Sequence, residues 1–390
     1  MRAIVAKPQG LNTMAFISWA QAADTLKLLP QGGPACCNIS VTNLCNATCD
    51  FCGYAKDKNN VTKDNRAFID ADLAVKSFDI LYRKSIRYLT FSGGEPLLHP
   101  QLFVMAAAAA QKGMRVAVVT NGSTLTPNNI EKIIQSGFRT VFISIDSPNA
   151  EAHEKNRGLP GVFDRIRKAT TALRAADIRT IASVTINRLI DDFNALAATL
   201  KELGFETVTF TYPKTTLSST SLVYSEDSRL IDFTPDELVE RLREVRSMKN
   251  DQTQLGILNP KAALEEMIRH VKRERELFPC VGGSNYFFMD WNFNIFRCDY
   301  WFEPICKVWD FADVAPIKDG CTQCMSVCYR DASALMGFPI ALGESIAHLR
   351  KGRIRKAGKT LFSPTARASI KALWQEWRTV NRLAQTGRQN

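Results

Sequence analysis

The chain has 390 residues, of which 45% are hydrophobic and 23% charged, and a formal net charge of +11. That length supports roughly two or three domains with a full core, and the composition is that of an ordinary soluble protein. No uninterrupted apolar stretch reaches the ~18 residues of a membrane span; the longest, Phe103 to Ala110, reads as a short alanine-rich helix. The first residues, Met1-Arg-Ala-Ile-Val-Ala-Lys, lack a signal peptide's sustained apolar core, which predicts a cytoplasmic protein.

From residue 38 to 212, short apolar β-rich runs alternate with amphipathic runs. The strands expected are Asn38–Asn43, Arg87–Ser92, Arg115–Thr120, Thr140–Ile145, Thr180–Ile186 and Thr207–Thr211. Helices are expected near 71–84, 101–112, 127–136, 162–176 and 191–203. Asp70 and Thr126-Pro127 supply start signals, and Gly113, Gly137 and Gly204 stop signals. Six β/α repeats with right-handed crossovers read as a parallel sheet rolled into a partial barrel, its strand C-termini gathered at one mouth. After a loop from Pro213 to Phe233, Thr234-Pro-Asp-Glu-Leu opens a helix to about Met248, and another runs from Lys261 to Leu277. Residues 280–330 carry cysteines, turn residues and aromatics in place of regular periodicity.

Eleven cysteines need a reason in a cytosolic chain, where disulfides are rare. Cys36, Cys37, Cys45, Cys49 and Cys52 come first, then Cys280, Cys298, Cys306, Cys321, Cys324 and Cys328, with none in the 227 residues between the groups. Two metal-binding regions follow from that clustering. Cys45, Cys49 and Cys52 sit three and then two residues apart after the first strand, so their thiolates can converge at the barrel mouth. Three ligands on a four-iron cubane leave one iron open, as a site that binds and transforms something requires. Cys36 and Cys37, just before the expected strand, read as buried packing thiols.

Cys45-x3-Cys49-x2-Cys52, with Phe51 before the last cysteine, resembles the signature of the radical S-adenosylmethionine (SAM) enzymes, whose partial (β/α)6 barrel matches the alternation above. The resemblance extends to Ser92-Gly93-Gly94-Glu95-Pro96, which in the family lies along the methionine part of SAM; Glu95 or a loop carbonyl would accept from its ammonium. Thr120-Asn121-Gly122 and Ser144-Ile145-Asp146 match strand ends that face SAM or substrate, with Ser144 on the SAM carboxylate or ribose. His153-Glu-Lys-Asn-Arg157-Gly158 and Phe163-Asp-Arg165 match the stretch where an arginine pairs with the SAM carboxylate; Arg165 is the first choice because it opens a helix, and Arg157 is placed toward substrate. Asn187 matches a position bonding the adenosine part. The resemblance implies that SAM chelates the open iron of a [4Fe-4S] cluster. Reduction through an electron donor such as flavodoxin or ferredoxin then yields a 5′-deoxyadenosyl radical, which takes hydrogen from an organic substrate or adds to it.

Cys280-x17-Cys298, Cys306 and Cys321-x2-Cys324-x3-Cys328 resemble the auxiliary-cluster extension called twitch, or its larger form SPASM. The pattern implies one auxiliary [4Fe-4S] cluster on Cys280, Cys298, Cys321 and Cys324, with Cys306 and Cys328 as substitute ligands, ligands to a second cluster, or buried thiols. A structural zinc, and with it a non-catalytic nucleic-acid-binding protein, is the alternative.

Residues 341–390 hold eleven Lys/Arg against Glu344 and Glu376. Ile370, Leu373, Trp374 and Trp377 recur there at helical spacing beside Lys371 and Arg378. An anionic membrane surface, nucleic acid, or docking on the protein's own domain each suit such a helix. The organisation expected is an N-terminal amphipathic segment (1–34), the barrel (35–212), a connecting loop and helix (213–259), the auxiliary-cluster region (260–335) and a basic tail (336–390).

Overall fold

The computed structural model describes residues 28, 33–56, 66–214, 228–249 and 255–377. The amphipathic stretch expected at 14–29 lies outside them apart from Leu28, which is buried; so do most of the 213–233 loop and everything after Trp377, Arg378 included.

Six strands form where the apolar β-rich runs stand: β1 (Ala35–Ser40), β2 (Ile86–Ser92), β3 (Arg115–Thr120), β4 (Phe138–Ser144), β5 (Arg179–Thr185) and β6 (Thr207–Thr211). They pair in parallel and in chain order. The crossovers carry helices α1 (Ala71–Arg83), α2 (Leu102–Gln111), α3 (Pro127–Gln135), α4 (Ala150–Arg157), α5 (Val162–Ala175) and α6 (Phe193–Glu202). Local chemistry starts these helices: Asp70 accepts from Leu73 N, and Thr126 from Asn129 N ahead of Pro127. The main apolar core lies between these helices and the sheet, built on residues such as Phe78, Phe91, Phe138 and Ile166.

Three corrections follow. First, β1 begins at Ala35, so Cys36 and Cys37 lie within it and not before it; Ala35 N bonds Ser85 O, and Cys36 N bonds Asn285 O, each at 2.9 Å. Second, α4 forms in a stretch read only as a motif, capped by Asn149, whose side chain accepts from Ala152 N. Third, the helix expected from Lys261 to Leu277 ends at Val271, because Arg273 adopts φ +57°.

Beyond β6, the capping box of Thr234 and Glu237 starts α7 (Pro235–Met248), and α8 (Lys261–Val271) follows the short β7 (Gly256–Ile257). Tyr286–Asp290 and Asn294–Cys298 read as a hairpin in the sequence, and it forms as β8 (Tyr286–Met289) and β9 (Asn294–Phe296), with β10 (Cys306–Lys307) beside it. β8 pairs in parallel with β1, Cys36 opposite Tyr286, so the cysteine-rich region extends the barrel's own sheet in the order β10-β9-β8-β1-β2-β3-β4-β5-β6-β7.

The chain then forms α9 (Val327–Arg350), α10 (Ile354–Leu361) and α11 (Pro364–Gln375). The boundary expected at 335 falls inside α9, and Pro339 lies within that helix. Gly337 permits close packing: a Cβ at 337 would stand 3.1 Å from the Ser369 Cβ of α11. By length and composition, α9 is the one described helix that could cross a membrane, which the search for uninterrupted apolar runs overlooked. Its first turns are anchored in the protein, with Tyr329 and Arg330 buried and Arg330 ion-paired to Glu276.

Near the far end, Glu376 pairs with Lys249 at 2.9 Å and accepts from Lys261 N, fastening α11 to the body. Asp331 lies beside this pair, half-buried, and desolvation pushes its carboxyl from 3.8 up to about 8 against the pull of Lys249. A carboxyl raised in the fold stabilises it fully below its unfolded pKa and loses that contribution as pH rises through about 8. Asp331→Asn should therefore raise the thermal midpoint at pH 8 relative to the parent and have a smaller effect at pH 5, as thermal denaturation at the two pH values will show.

Candidate active site

The loop after β1 carries Cys45, Cys49 and Cys52, and a turn of helix at Gly53–Lys56 begins behind it. All three are free thiols. Burial raises the Cys45 thiol to about 11 and that of Cys49 to about 12, and it also raises Cys52. The other two cysteines act on Cys49 in the same direction, while the Arg157 guanidinium pulls all three down. The thiols therefore share one desolvated site with a cation beside it.

The loop after β2 holds the cysteine loop in place, backbone on backbone. Gly94 N bonds Thr42 O and Glu95 N bonds Leu44 O, both at 2.8 Å. A Cβ at Gly94 would fall 2.2 Å from Leu44 O, and one at Gly93, where φ is +130°, would fall 2.4 Å from Thr42 O. Only glycine permits either approach.

Glu95 is fully buried, and its carboxylate accepts from Leu97 N (3.1 Å), Thr120 Oγ1 (2.8 Å) and Asn121 N (2.7 Å). It ties the glycine loop to the end of β3. Burial raises it to about 7 despite those bonds.

Asn121 reaches further in, its Nδ2 donating to Asn46 Oδ1 at 2.9 Å and lying 3.9 Å from Cys45 Sγ. Asn46 in turn donates to Ser123 Oγ at 2.8 Å. The two arginines differ in burial and in what they touch. Arg165 is exposed and donates to the Ser123 carbonyl at the rim. Arg157 is buried, pairs with Asp146 at 2.6 Å and charges the cysteine loop, with its Nε lacking any partner among the described residues. Burial alone would raise Asp146, but Arg157 and His153 hold its carboxyl below the usual range. Helix α4 ends at this arginine; because α4 was not expected, position along the sequence favoured Arg165.

Ser144 ends β4 half-buried, its hydroxyl without a hydrogen-bond partner among the described residues. Asn187 is committed to the scaffold: it donates to Asp146 O (2.9 Å) and Thr185 O (2.8 Å) and accepts from Leu189 N (2.7 Å). It fastens the ends of β4 and β5 together. Phe51 is buried against the loop.

The second cysteine group assembles around Gly282. Its N–H donates to Cys280 Sγ at 3.3 Å, and a Cβ there would lie 3.5 Å from the Cys298 Cβ. Cys280 N bonds Cys321 O at 2.8 Å. Cys321 and Cys324 act electrostatically on Cys280 and Cys298 respectively. These four come together, whereas Cys306, on β10, is influenced by Asp310 and Lys84. Cys328 faces Cys36 and Tyr286. Cys36 and Cys37 point to opposite faces of β1, Cys37 into the core and Cys36 toward Cys328.

Lys214, just past β6, went unnoticed in the sequence. It is buried, donates to Ser326 Oγ at 2.9 Å, approaches Asp299 at 3.7 Å and lies 4.4 Å over the Tyr300 ring. Its place directly after a barrel strand was the available signal. Tyr54, hydrogen-bonded to Ser40, feels the charges of Cys45, Cys52 and Asp299, so both cysteine groups look into one interior.

Residues 39–203 match the Radical SAM superfamily. This stretch of the chain is a radical SAM domain. It is 34% identical over 166 residues to an AdoMet-dependent heme synthase of Methanosarcina barkeri, covering 41% of this chain and 45% of that protein. It is 30% identical over 170 residues to the mycofactocin maturase MftC of Mycolicibacterium smegmatis, covering 42% of each. The chain thus spans less than half the length of these relatives. Among solved structures, the fold matches anSMEcpe with bound AdoMet and a peptide at a TM-score of 0.54 and 13% identity, covering 91% of this chain and all of that one. It matches Streptococcus suis SuiB bound to S-adenosylmethionine at a TM-score of 0.51 and 12% identity, covering 72% and 64%.

The superfamily's cofactors are a [4Fe-4S] cluster and SAM, and the residues fit them. Among the described residues, no three His, Cys, Asp or Glu side chains close around a single metal ion; a cubane is larger and takes more widely spaced thiolates. The unpartnered Arg157 Nε beside the thiols suits an anionic neighbour. Gly94→Ala should displace the cysteine loop: iron retained after anaerobic reconstitution should fall to half or less of the parent's, measured colorimetrically, with the far-ultraviolet circular dichroism unchanged.

Proposed function

We propose that the protein is a radical SAM enzyme that abstracts hydrogen from an organic substrate in the barrel interior. The observation that carries this reading is the set of three desolvated thiols pinned by Gly93 and Gly94 and flanked by the buried Arg157. When bound, the cluster and SAM supply one-electron cleavage of a SAM carbon–sulfur bond and, through it, hydrogen-atom removal from an unactivated C–H. Cys45, Cys49 and Cys52 hold the cluster, and the loop carbonyls at Gly93 and Gly94 receive the ammonium of SAM. Arg157 compensates negative charge, and Ser144 offers a hydroxyl at the end of β4.

Cys280, Cys298, Cys321 and Cys324 hold an auxiliary [4Fe-4S] cluster facing the same interior, with Lys214 and Asp299 between the two sites. A flavodoxin or ferredoxin supplies the electron. The substrate is amphiphilic, a reading supported by the apolar and basic surface of α10 and α11. A peptide is the second reading, favoured by the likeness to a maturase.

Anaerobic reconstitution followed by reduction with SAM present should yield 5′-deoxyadenosine, read by chromatography, and the product should be lost in Cys49→Ala. Iron should approach about eight per chain and fall to about four in the Cys298→Ala/Cys324→Ala variant. Intact clusters with no 5′-deoxyadenosine would refute the enzymatic reading, and zinc in place of iron would favour the scaffold.

A further inference from the structure

The most exposed large apolar side chains among the described residues all lie on the last two helices or directly after them: Trp374 (80%), Ile354 (74%), Phe362 (68%) and Trp377 (62%). Ile370, Trp374 and Trp377 stand at i, i+4 and i+7, so they form one stripe, and Arg367 and Lys371 flank it. The opposite face of α11 is buried, with Ala366, Ser369, Ala372 and Glu376 against the body. The helix is therefore docked, and its outward stripe is surplus to the fold.

Around α10 the cations are dense. Arg350, Lys351, Arg353, Arg355, Lys356 and Lys359 are all exposed, and none pairs with an acid among the described residues. From Leu349 to Trp377 the sole acid is Glu376, itself buried and paired to Lys249. The surface thus offers exposed tryptophan, isoleucine and phenylalanine beside uncompensated positive charge. Tryptophan suits the boundary between headgroups and acyl chains, and the cations suit anionic headgroups. A nucleic acid would meet the charge but leave Ile354 and Phe362 without a partner, and a protein partner would need a matching acidic face.

We propose that α10, α11 and the end of α9 form a peripheral docking surface for an anionic lipid bilayer, with α11 lying in the interface along its Ile370–Trp374–Trp377 stripe. The bilayer does not pass through the protein, because α9 is held at its start by Arg330, Glu276 and Glu266. The surface adjoins a cavity of about 530 Å³ between Cys280 and α10, lined by Lys356 and Lys359, so docking brings the membrane beside the second cysteine group.

The test is sedimentation of the full chain with vesicles of phosphatidylglycerol and phosphatidylcholine, and with vesicles of phosphatidylcholine alone. Binding should require the anionic lipid and weaken as salt is added. The triple change Lys351→Gln, Arg353→Gln, Arg355→Gln should reduce partitioning about a hundred-fold, since each cation contributes about five-fold. Trp374→Ala/Trp377→Ala should reduce it about ten-fold or more at unchanged charge. All five side chains are exposed, so circular dichroism and iron content should match the parent. Equal binding to neutral vesicles, no binding to either, or variants that bind like the parent would overturn the proposal. Binding of a DNA or RNA oligomer without vesicle binding would assign the surface to nucleic acid. None of these results depends on SAM cleavage, so this proposal and the enzymatic one fail separately.

Discussion

Everything at the barrel mouth depends on one backbone contact. The loop after β2 lies so close on the loop after β1 that no side chain fits between them, and Gly93 and Gly94 are the residues that allow it. Two backbone hydrogen bonds, Gly94 to Thr42 and Glu95 to Leu44, close the contact one residue before Cys45. Glu95 then carries the constraint onward to β3 through Thr120 and Asn121, whose side chain returns to the cysteine loop. The three thiols are therefore positioned by two crossovers at once, which a flexible cysteine loop could not achieve alone.

A second layer balances charge. Three thiols, Cys49 buried and Cys45 and Cys52 half-buried, and the carboxylate of Asp146 would be costly to ionise without a cation, and Arg157 supplies it from the last residue of α4. The same economy recurs across the interior, where Lys214 stands with Asp299 near the second cysteine group, and at the far end, where Lys249 stands with Glu376. Because β8 pairs with β1, the two cysteine groups share one sheet and one interior. Their relative placement is then set by strand register and not by a linker.

Much of this was legible in the chain. Periodicity placed all six barrel strands, and β3 and β6 match to the residue, their residues alternating between buried and half-buried along the strand. Side-chain caps placed α1, α3 and α7. The hairpin of the cysteine-rich region forms as read, and Cys280, Cys298, Cys321 and Cys324, the four that the resemblance groups, lie near one another. What the chain did not show is how far its interior polar residues are already bonded: Glu95 and Asn187 each hold three hydrogen bonds that tie loops and strand ends together. Helix α9 runs through Gly337 and Pro339 because tertiary packing supports it.

By itself the sequence determined the alternation of strands and helices, the clustering of cysteines at either end and the basic character of the last fifty residues. These are properties of local period, spacing and charge, which need no partner to be expressed. Tertiary structure alone decided which arginine faces the thiols, which polar groups are already hydrogen-bonded, that β8 extends the barrel sheet, and which face of α11 is left outward. Each of those depends on what lies across a contact between residues far apart in the chain, and burial or hydrogen bonding by a distant partner leaves no mark in local sequence.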